Sequence, residues 1–264
     1  MQISPVKFHS YNYYNNRRNV PFSGTDNNSC KNLKLQRGQF ISDGVIHNYH
    51  HTSFARPDLD WKNFSEYLKE KYPDGKVNIL LFACSTGEEA YTMALLLNKT
   101  FPDKRIKIRA MDIDEDTINK CKQLQKSEEI APQYVLYLNS ELNLNEEESS
   151  DSFYQTCDKN YKFKHKISDM IEFETRNILE FPFGEYNNQP SVVLMRNMWF
   201  YVKENEHSQF AKNLYKSLAP NSTVIIGNID AMRTKMHKKL LLAGFKYPSK
   251  NVSAKNKRIF FEKV

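Results

Sequence analysis

The sequence has few cysteines and no long apolar run, and both shortages narrow the kinds of protein it can be. Four of its 264 residues are cysteine and none stands in a CxxC pair, the spacing typical of zinc knuckles and redox motifs. Isolated thiols favour a reducing compartment. No apolar run approaches the roughly 20 residues that span a bilayer, and the first residues contain no apolar segment of a secretory signal. We therefore expect a cytoplasmic protein without membrane insertion.

Residue clusters that would indicate several other functions are also missing. The formal net charge is +7, but no run of Lys and Arg is interleaved with aromatic residues, so nucleic acid is disfavoured as a partner. No Ser/His/Asp arrangement or metal-ligand set is visible. The histidines in the tract 47–51 have no acid or Cys nearby in sequence, which favours exposed or hydrogen-bonded imidazoles over a metal site. We expect no bound metal.

The most informative segment reads as a buried strand, a turn of small residues and a helix. The strand is expected over residues 77–82. Small residues then occupy alternate positions, which lets a ligand lie against bare backbone; they are Ala83, Ser85 and Gly87. Two acids, Glu88 and Glu89, open the helix, where they suit its positive end but would repel a phosphate. A ligand with a cationic end and no phosphate, such as S-adenosylmethionine, fits this turn better.

Alternating strands and helices along the chain predict an α/β fold with a doubly wound, mostly parallel sheet. Further strands are expected at 106–111, 170–174, 191–195 and 223–227, and helices at 60–72, 115–124, 204–218 and 234–243. Segments 245–247 and 258–262 are predicted to form a terminal hairpin, which makes the last strand antiparallel. We expect residues 1–50 to be an irregular extension and residues 51–264 to be one domain. A small, partly β insert is expected at about 125–165, with the acidic run 145–151 as a solvated loop.

Polar residues follow several of these strands, and in open α/β sheets functional residues collect at the carboxyl ends of the strands. Asp112 ends the second strand, 25 residues after Gly87. A carboxylate there can accept both ribose hydroxyls of a nucleoside, although a helix N-cap is the alternative. Asn177 could bind an adenine edge or cap a loop. Asn197 follows the fourth strand directly after Arg196.

Five ordered motifs resemble the CheR-type chemotaxis methyltransferases, which use S-adenosylmethionine to methylate glutamate side chains of receptors. The motifs are Thr52-Ser-Phe-Ala-Arg56, Ala83-Cys-Ser-Thr-Gly-Glu-Glu-Ala-Tyr91, Asp112-Ile-Asp114, Asn177-Ile178 and Arg196-Asn-Met-Trp-Phe-Tyr201. The resemblance spans residues 52–230. It implies a Rossmann-like class I methyltransferase fold and transfer of a methyl group to a protein carboxylate, with S-adenosyl-L-homocysteine as the product.

The resemblance also implies a role for each motif. Arg56 and Tyr201 would act in catalysis, Arg56 near the methionine end and the acceptor, Tyr201 beside the transferred methyl. Glu88 would bind the ammonium group and Asp112 the ribose. The implied cofactor-binding residues are Thr52, Arg56, Ala83, Ser85, Gly87, Glu88, Asp112, Ile113, Asn177, Ile178 and Asn197. Each catalytic residue has an ordinary alternative: Tyr201 could pack in the core, and Arg56 could lie on the surface. Arg196 could be a simple ion-pair partner.

The sequence departs from the family pattern in several places. The family's helical N-terminal domain has no clear counterpart in residues 1–50. Gly227-Asn-Ile-Asp230 stands where the family has Gly-His-Ser-Glu, and we expect this change to weaken the rear wall of the pocket. Smaller departures are Ala55 for a Phe, Pro57 for an acid and Ala90 for a Pro. The expected partner is a protein with an acceptor carboxylate, such as a receptor. Two alternatives remain open: another acceptor, such as a small molecule or RNA, and a non-catalytic cofactor-binding or interaction module.

Overall fold

The computed structural model describes residues 39–42, 45–48, 52–127, 129–180, 186–249 and 252–264. Most of the extension predicted for residues 1–50 lies outside these ranges. Within it, the strands β1 (Gln39–Ser42) and β2 (Val45–Asn48) pair antiparallel. No helix in the described ranges is long and apolar enough to cross a membrane. The same ranges hold no group of three or more metal-ligating side chains.

Eight further strands follow in the described ranges, and six of them form the central sheet. They are β3 (Asn78–Phe82), β4 (Ile108–Asp112), β5 (Phe153–Gln155), β6 (Tyr161–Phe163), β7 (Ile171–Thr175), β8 (Ser191–Met195), β9 (Thr223–Ile226) and β10 (Phe260–Glu262). The sheet has the order β10-β9-β8-β3-β4-β7. All its pairs are parallel except β10 with β9. The predicted doubly wound sheet with an antiparallel last strand is confirmed.

Helices cover the sheet and make up most of the insert. They are α1 (Trp61–Lys71), α2 (Glu88–Thr100), α3 (Glu115–Ser127), α4 (Pro132–Leu142), α5 (Glu146–Ser152), α6 (His165–Ser168), α7 (Glu204–Ser217) and α8 (Met236–Ala243). Strand β8 is buried along its whole length, as expected for a parallel strand covered on both faces. Helix α2 is buried on nearly every side because the insert packs on it, with Tyr91 stacked at 4.3 Å between ring centroids on Phe163.

The insert differs from its prediction because helix signals within it went unrecognised. The side chain of Asn145 accepts the Glu148 N–H, and the Glu148 carboxylate accepts the Asn145 N–H. This reciprocal capping box starts α5, so the acidic run is a helix and the predicted loop is wrong. Helix α4 begins with Pro132, whose fixed φ suits a first turn. The short antiparallel pair β5–β6 and a bridge between Ile130 and Tyr161 supply the predicted β structure.

The order of the strands locates the ligand-binding crevice. The chain adds β4 and β7 on one side of β3, then crosses to the other side for β8, β9 and β10. Open α/β sheets bind ligands outside the carboxyl ends of the strands where this reversal occurs. The reversal lies between β3 and β8, so it brings the turn at 83–87 next to Arg196 and Asn197. Two of the predicted motifs therefore meet at one edge of the sheet.

Candidate active site

The turn after β3 is held in left-handed backbone conformations. The φ angle is 54° at Ala83, 52° at Ser85 and 92° at Gly87. Residues with a Cβ rarely adopt this region, and such strain is concentrated at ligand sites. Gly87 also has no room for a side chain, because a Cβ there would lie 3.0 Å from the ring of Phe173. The left-handed backbone and the close approach of Phe173 thus require glycine at position 87.

Asp112 at the end of β4 is tied to this turn. The residue is 7% exposed. Its Oδ2 accepts the Ser85 N–H at 2.9 Å and its Oδ1 accepts the Asp114 N–H at 3.1 Å. The N-cap alternative is wrong for Asp112, because Asp114 accepts the Thr117 N–H in the first turn of α3. Each oxygen of an ionised carboxylate has a second lone pair, so Asp112 can fix the turn and still accept ribose hydroxyls.

The Thr52–Arg56 segment crosses the start of α2. The Ala55 N–H donates to Thr92 Oγ1 at 3.0 Å, and the Tyr137 hydroxyl of α4 donates to the Ala55 carbonyl at 2.9 Å. Ala55 is fully buried with φ 38°, which leaves no space for the Phe of the family pattern. The Arg56 side chain is 14% exposed, so the surface alternative for Arg56 is wrong.

Glu88 lies beside this segment. Its side chain is buried and accepts the Thr86 hydroxyl at 2.7 Å. Burial raises the pKa of Glu88, while Thr86 and Arg56 favour its ionised form. The two side chains suit opposite charges, since Glu88 can bind an ammonium group and Arg56 a carboxylate.

A buried ion-pair cluster, which the sequence did not predict, connects the elements behind the crevice. Arg196 is completely buried at its side chain and donates to Glu89 Oε1 at 3.0 Å. Its second amino group binds Asp58. The other oxygen of Glu89 binds Arg56 at 2.8 Å. The ion-pair alternative for Arg196 is confirmed, and Glu89 joins this arginine to Arg56. The pair of acids that opens α2 was the available signal for Glu89; Asp58 had none.

Asp230 was also missed, and it fastens the loop after β9 to the loop after β8. One of its oxygens accepts the Trp199 N–H at 3.1 Å, and the other accepts the N–H groups of Gly227 and Asn197. Burial raises the pKa of Asp230 to about 6, although these backbone donors oppose the shift. Asp230 therefore joins the two loops at the place where the sequence predicts a weakened rear wall.

The remaining predicted residues lie at different depths around the crevice. Tyr201 is 41% exposed, so it stands at the mouth; Trp199 takes the core position that was the alternative for Tyr201. Ile178 is buried and Ile113 is exposed. Asn177 accepts the Leu179 N–H at 3.1 Å and donates to Glu180 at 2.9 Å. These contacts make Asn177 a loop cap, the alternative that the sequence left open.

Six buried polar atoms in these motifs lack a hydrogen-bond partner. Two of them, Arg196 Nε and Trp199 Nε1, belong to side chains packed behind the crevice. The other four are Thr52 Oγ1, Arg56 Nε, Ser85 Oγ and Asn197 Oδ1. Buried polar groups in proteins are nearly always hydrogen-bonded, so atoms of this kind collected at one crevice indicate a ligand. Together with the carboxylates of Glu88 and Asp112, they offer partners to a ligand that has an amino-acid end and a ribose. S-adenosylmethionine has both, and the residues present fit it.

Comparisons with known proteins found one matching family and several similar chains. Residues 50–246 match the family described as CheR methyltransferase, SAM binding domain. A chemotaxis protein methyltransferase of Campylobacter jejuni is 27% identical over 202 residues, which is 76% of this chain and 70% of that protein. One of Borreliella burgdorferi is 25% identical over 171 residues, or 61% and 54% of the two chains. The solved structure of the N-methyltransferase NodS from Bradyrhizobium japonicum has a TM-score of 0.39 at 11% identity, covering 76% of this chain and 94% of that one.

The family match spans three quarters of the chain and includes all the motifs that border the crevice. The chain is an S-adenosylmethionine-dependent methyltransferase, and it belongs to the CheR methyltransferase family.

Proposed function

We propose that this protein transfers the methyl group of S-adenosylmethionine to the side-chain carboxylate of a glutamate in a protein acceptor, a receptor being the expected kind. One observation carries the choice of acceptor: Arg56 is held at the crevice by Glu89, and its buried Nε has no partner. A guanidinium in this state is suited to bind a carboxylate. The names of the relatives, chemotaxis protein methyltransferases, support a protein as the acceptor.

We assign the cofactor to the crevice edge between β3 and β8. Glu88 would bind the ammonium group and Asp112 the ribose hydroxyls. Backbone at the small residues of the turn would form the floor, and Asn197 would close the pocket. The adenine would lie near Ile178 and Ile113, while Asn177 would shape that border as a loop cap. Bound S-adenosylmethionine supplies a methyl group activated by its sulfonium.

The protein's own task is to orient the acceptor. A glutamate carboxylate is already ionised at neutral pH, so no general base is needed to activate it. Arg56 would hold the carboxylate, and Glu89 would keep the Arg56 guanidinium in place. Burial raises the pKa of Tyr201, so its hydroxyl stays neutral and can hydrogen-bond at the crevice mouth. Correct orientation of two reactants can lower an activation barrier by about 7–11 kcal/mol. Positioning of donor and acceptor by the protein is therefore sufficient for catalysis of methyl transfer.

Labelling with tritiated S-adenosylmethionine tests this proposal. The full chain is incubated with lysate protein and the labelled products are treated with mild alkali. We expect volatile, base-labile label, because carboxyl methyl esters hydrolyse to methanol whereas N-methyl groups and methylated RNA do not. Arg56→Ala and Tyr201→Phe should slow transfer more than they weaken binding of S-adenosylhomocysteine, and Arg105→Ala, at an exposed arginine, serves as the control. Only alkali-stable label, or unchanged transfer in both variants, would contradict the proposal.

A further inference from the structure

We propose that the crevice mouth carries a docking surface for an acidic, amphipathic segment of the protein acceptor. This surface, the π-turn surface, consists of the π-helical turn Asp230–Thr234 with its neighbours Ile229 and Lys235. The inference rests on the proposed function and deepens it, because it specifies the residues that surround the methylated glutamate. Single π-helical turns are rare and are often found at functional sites.

Hydrogen bonds fix the π-turn surface beside both catalytic candidates. Asp230 binds the backbone of Asn197 and Trp199, in the loop that leads to Tyr201. One residue before the surface, Asn228 Nδ2 donates to the carbonyl of Asp58 at 3.3 Å. Asp58 lies two residues after Arg56 and binds Arg196. A glutamate side chain that reaches Arg56 past Tyr201 therefore brings its own backbone over this turn.

The outward side chains of the π-turn surface are apolar where the acceptor would pass. Met232 is 81% exposed and Ile229 is 43% exposed. Tyr201, in the loop that Asp230 holds, is 41% exposed. Single exposed apolar residues are normal on protein surfaces. Here, however, Met232, Ile229 and Tyr201 lie on two loops that hydrogen bonds join at the crevice. Together they can contact the apolar side chains that flank a glutamate on an amphipathic helix.

The charge of the surrounding segment is of one sign. Residues 229–239 contain one acid, Asp230, which is buried and accepts three backbone N–H groups. The same segment contains the cations Arg233, Lys235, Lys238 and Lys239. The charged side chains of residues 229–239 that reach solvent are thus all positive. An acceptor peptide that carries further acids beside its methylated glutamate complements this charge. Residues 229–239 contain no Phe, Tyr or Trp, and this favours a peptide over RNA because bases bind by stacking on aromatic side chains.

Binding of a defined peptide to the full chain tests the proposal without knowledge of the natural acceptor. The probe is a fluorescein-labelled 20-residue helical peptide of Glu, Ala and Leu, measured by fluorescence anisotropy in the presence of S-adenosylhomocysteine. Two counterparts carry Lys in place of every Glu, or Ser in place of every Leu. Met232→Ser and Arg233→Glu/Lys235→Glu each remove one component of the surface. The matched controls are Leu242→Ser, at a side chain that is also 81% exposed, and Lys212→Glu/Lys216→Glu on α7.

We expect the Glu/Leu peptide to bind and both counterpart peptides to bind at least about tenfold more weakly. Each surface variant of the protein should weaken binding of the Glu/Leu peptide by about tenfold, a loss of about 1.4 kcal/mol. The control variants should match the parent protein, and S-adenosylhomocysteine affinity should be the same in all of them. Equal peptide binding by the parent protein and the surface variants would overturn the inference. The inference would also fail if polyuridylate displaced the peptide and bound the same surface more tightly than the peptide does. If peptide binding follows these expectations while the label stays alkali-stable, the proposed glutamate chemistry fails and the docking surface stands.

Discussion

Replacement of Asp112 by Asn provides a sharp perturbation of the cofactor pocket, because the two side chains have nearly the same shape. In the native protein each carboxylate oxygen accepts one backbone N–H, from Ser85 and from Asp114. An asparagine has only one oxygen, so its NH₂ group must face one of these N–H groups. Asp112→Asn therefore leaves one backbone donor without a partner and removes the charge at the ribose position.

Typical energies of such contacts set the expected loss of stability and the expected loss of cofactor affinity. An unsatisfied buried polar group costs about 1–3 kcal/mol, so the free energy of unfolding should fall by that amount. Hydrogen bonds to a charged group contribute about 1.5–3 kcal/mol, so loss of the charge should weaken binding of S-adenosylhomocysteine by about 10- to 150-fold. The first effect acts on the turn and the second on the ribose hydroxyls.

Calorimetry and a ribose analogue separate these effects. The affinities of S-adenosylhomocysteine, adenosine and 2′,3′-dideoxyadenosine are measured for the parent protein and for Asp112→Asn, with Asp158→Asn at an exposed site as the control. The parent should prefer adenosine over the dideoxy analogue, and Asp112→Asn should lose most of this preference. A preference that is equal in both proteins would refute the assignment of Asp112 to the ribose.

Three further predictions concern the elements that support the pocket. Arg196→Leu leaves buried carboxylates without their partner and should lower the free energy of unfolding in urea by about 3–5 kcal/mol; a loss below about 1 kcal/mol would contradict the buried cluster. Gly227→Ala places a Cβ 2.9 Å from the backbone nitrogen of Asn197, and we expect a loss of about 1–3 kcal/mol together with weaker S-adenosylhomocysteine binding in thermal-shift titrations. Because burial raises the pKa of Asp230 to about 6, the folded protein retains a proton that the unfolded chain releases near pH 4. Stability contributed by this group should fall as pH rises between about 4 and 6, by at most about 3 kcal/mol, and an unchanged pH slope in Asp230→Asn would contradict this.

The sheet was predictable because its strands are short apolar runs that end in small or polar residues. The alternating order of strands and helices then allows few topologies, and the structure has the expected one. The turn at 83–87 was predictable for a related reason: bare backbone at a crevice needs small residues, and these stand at fixed spacing in the sequence.

The support behind the site could not be read from the sequence. Asp58, Glu89 and Arg196 are far apart in the chain and meet only through the packing of the folded sheet. The sequence predicts that Asp230 is a weak substitute for the family's Glu, because it does not reveal that the shorter side chain reaches three backbone N–H groups. The predicted loop at 145–151 is wrong for a local reason. Asn145 and Glu148 have the spacing of a capping box, which starts a helix in spite of the acidic composition of the run.

Titration of the full chain with S-adenosylhomocysteine tests the central claim most directly. We expect saturable heat with one site per chain, and weaker competition by 5′-methylthioadenosine because this analogue lacks the amino-acid end whose ammonium group Glu88 would hold. The absence of saturable binding, or equal affinity for both compounds, would contradict a pocket built around the complete cofactor.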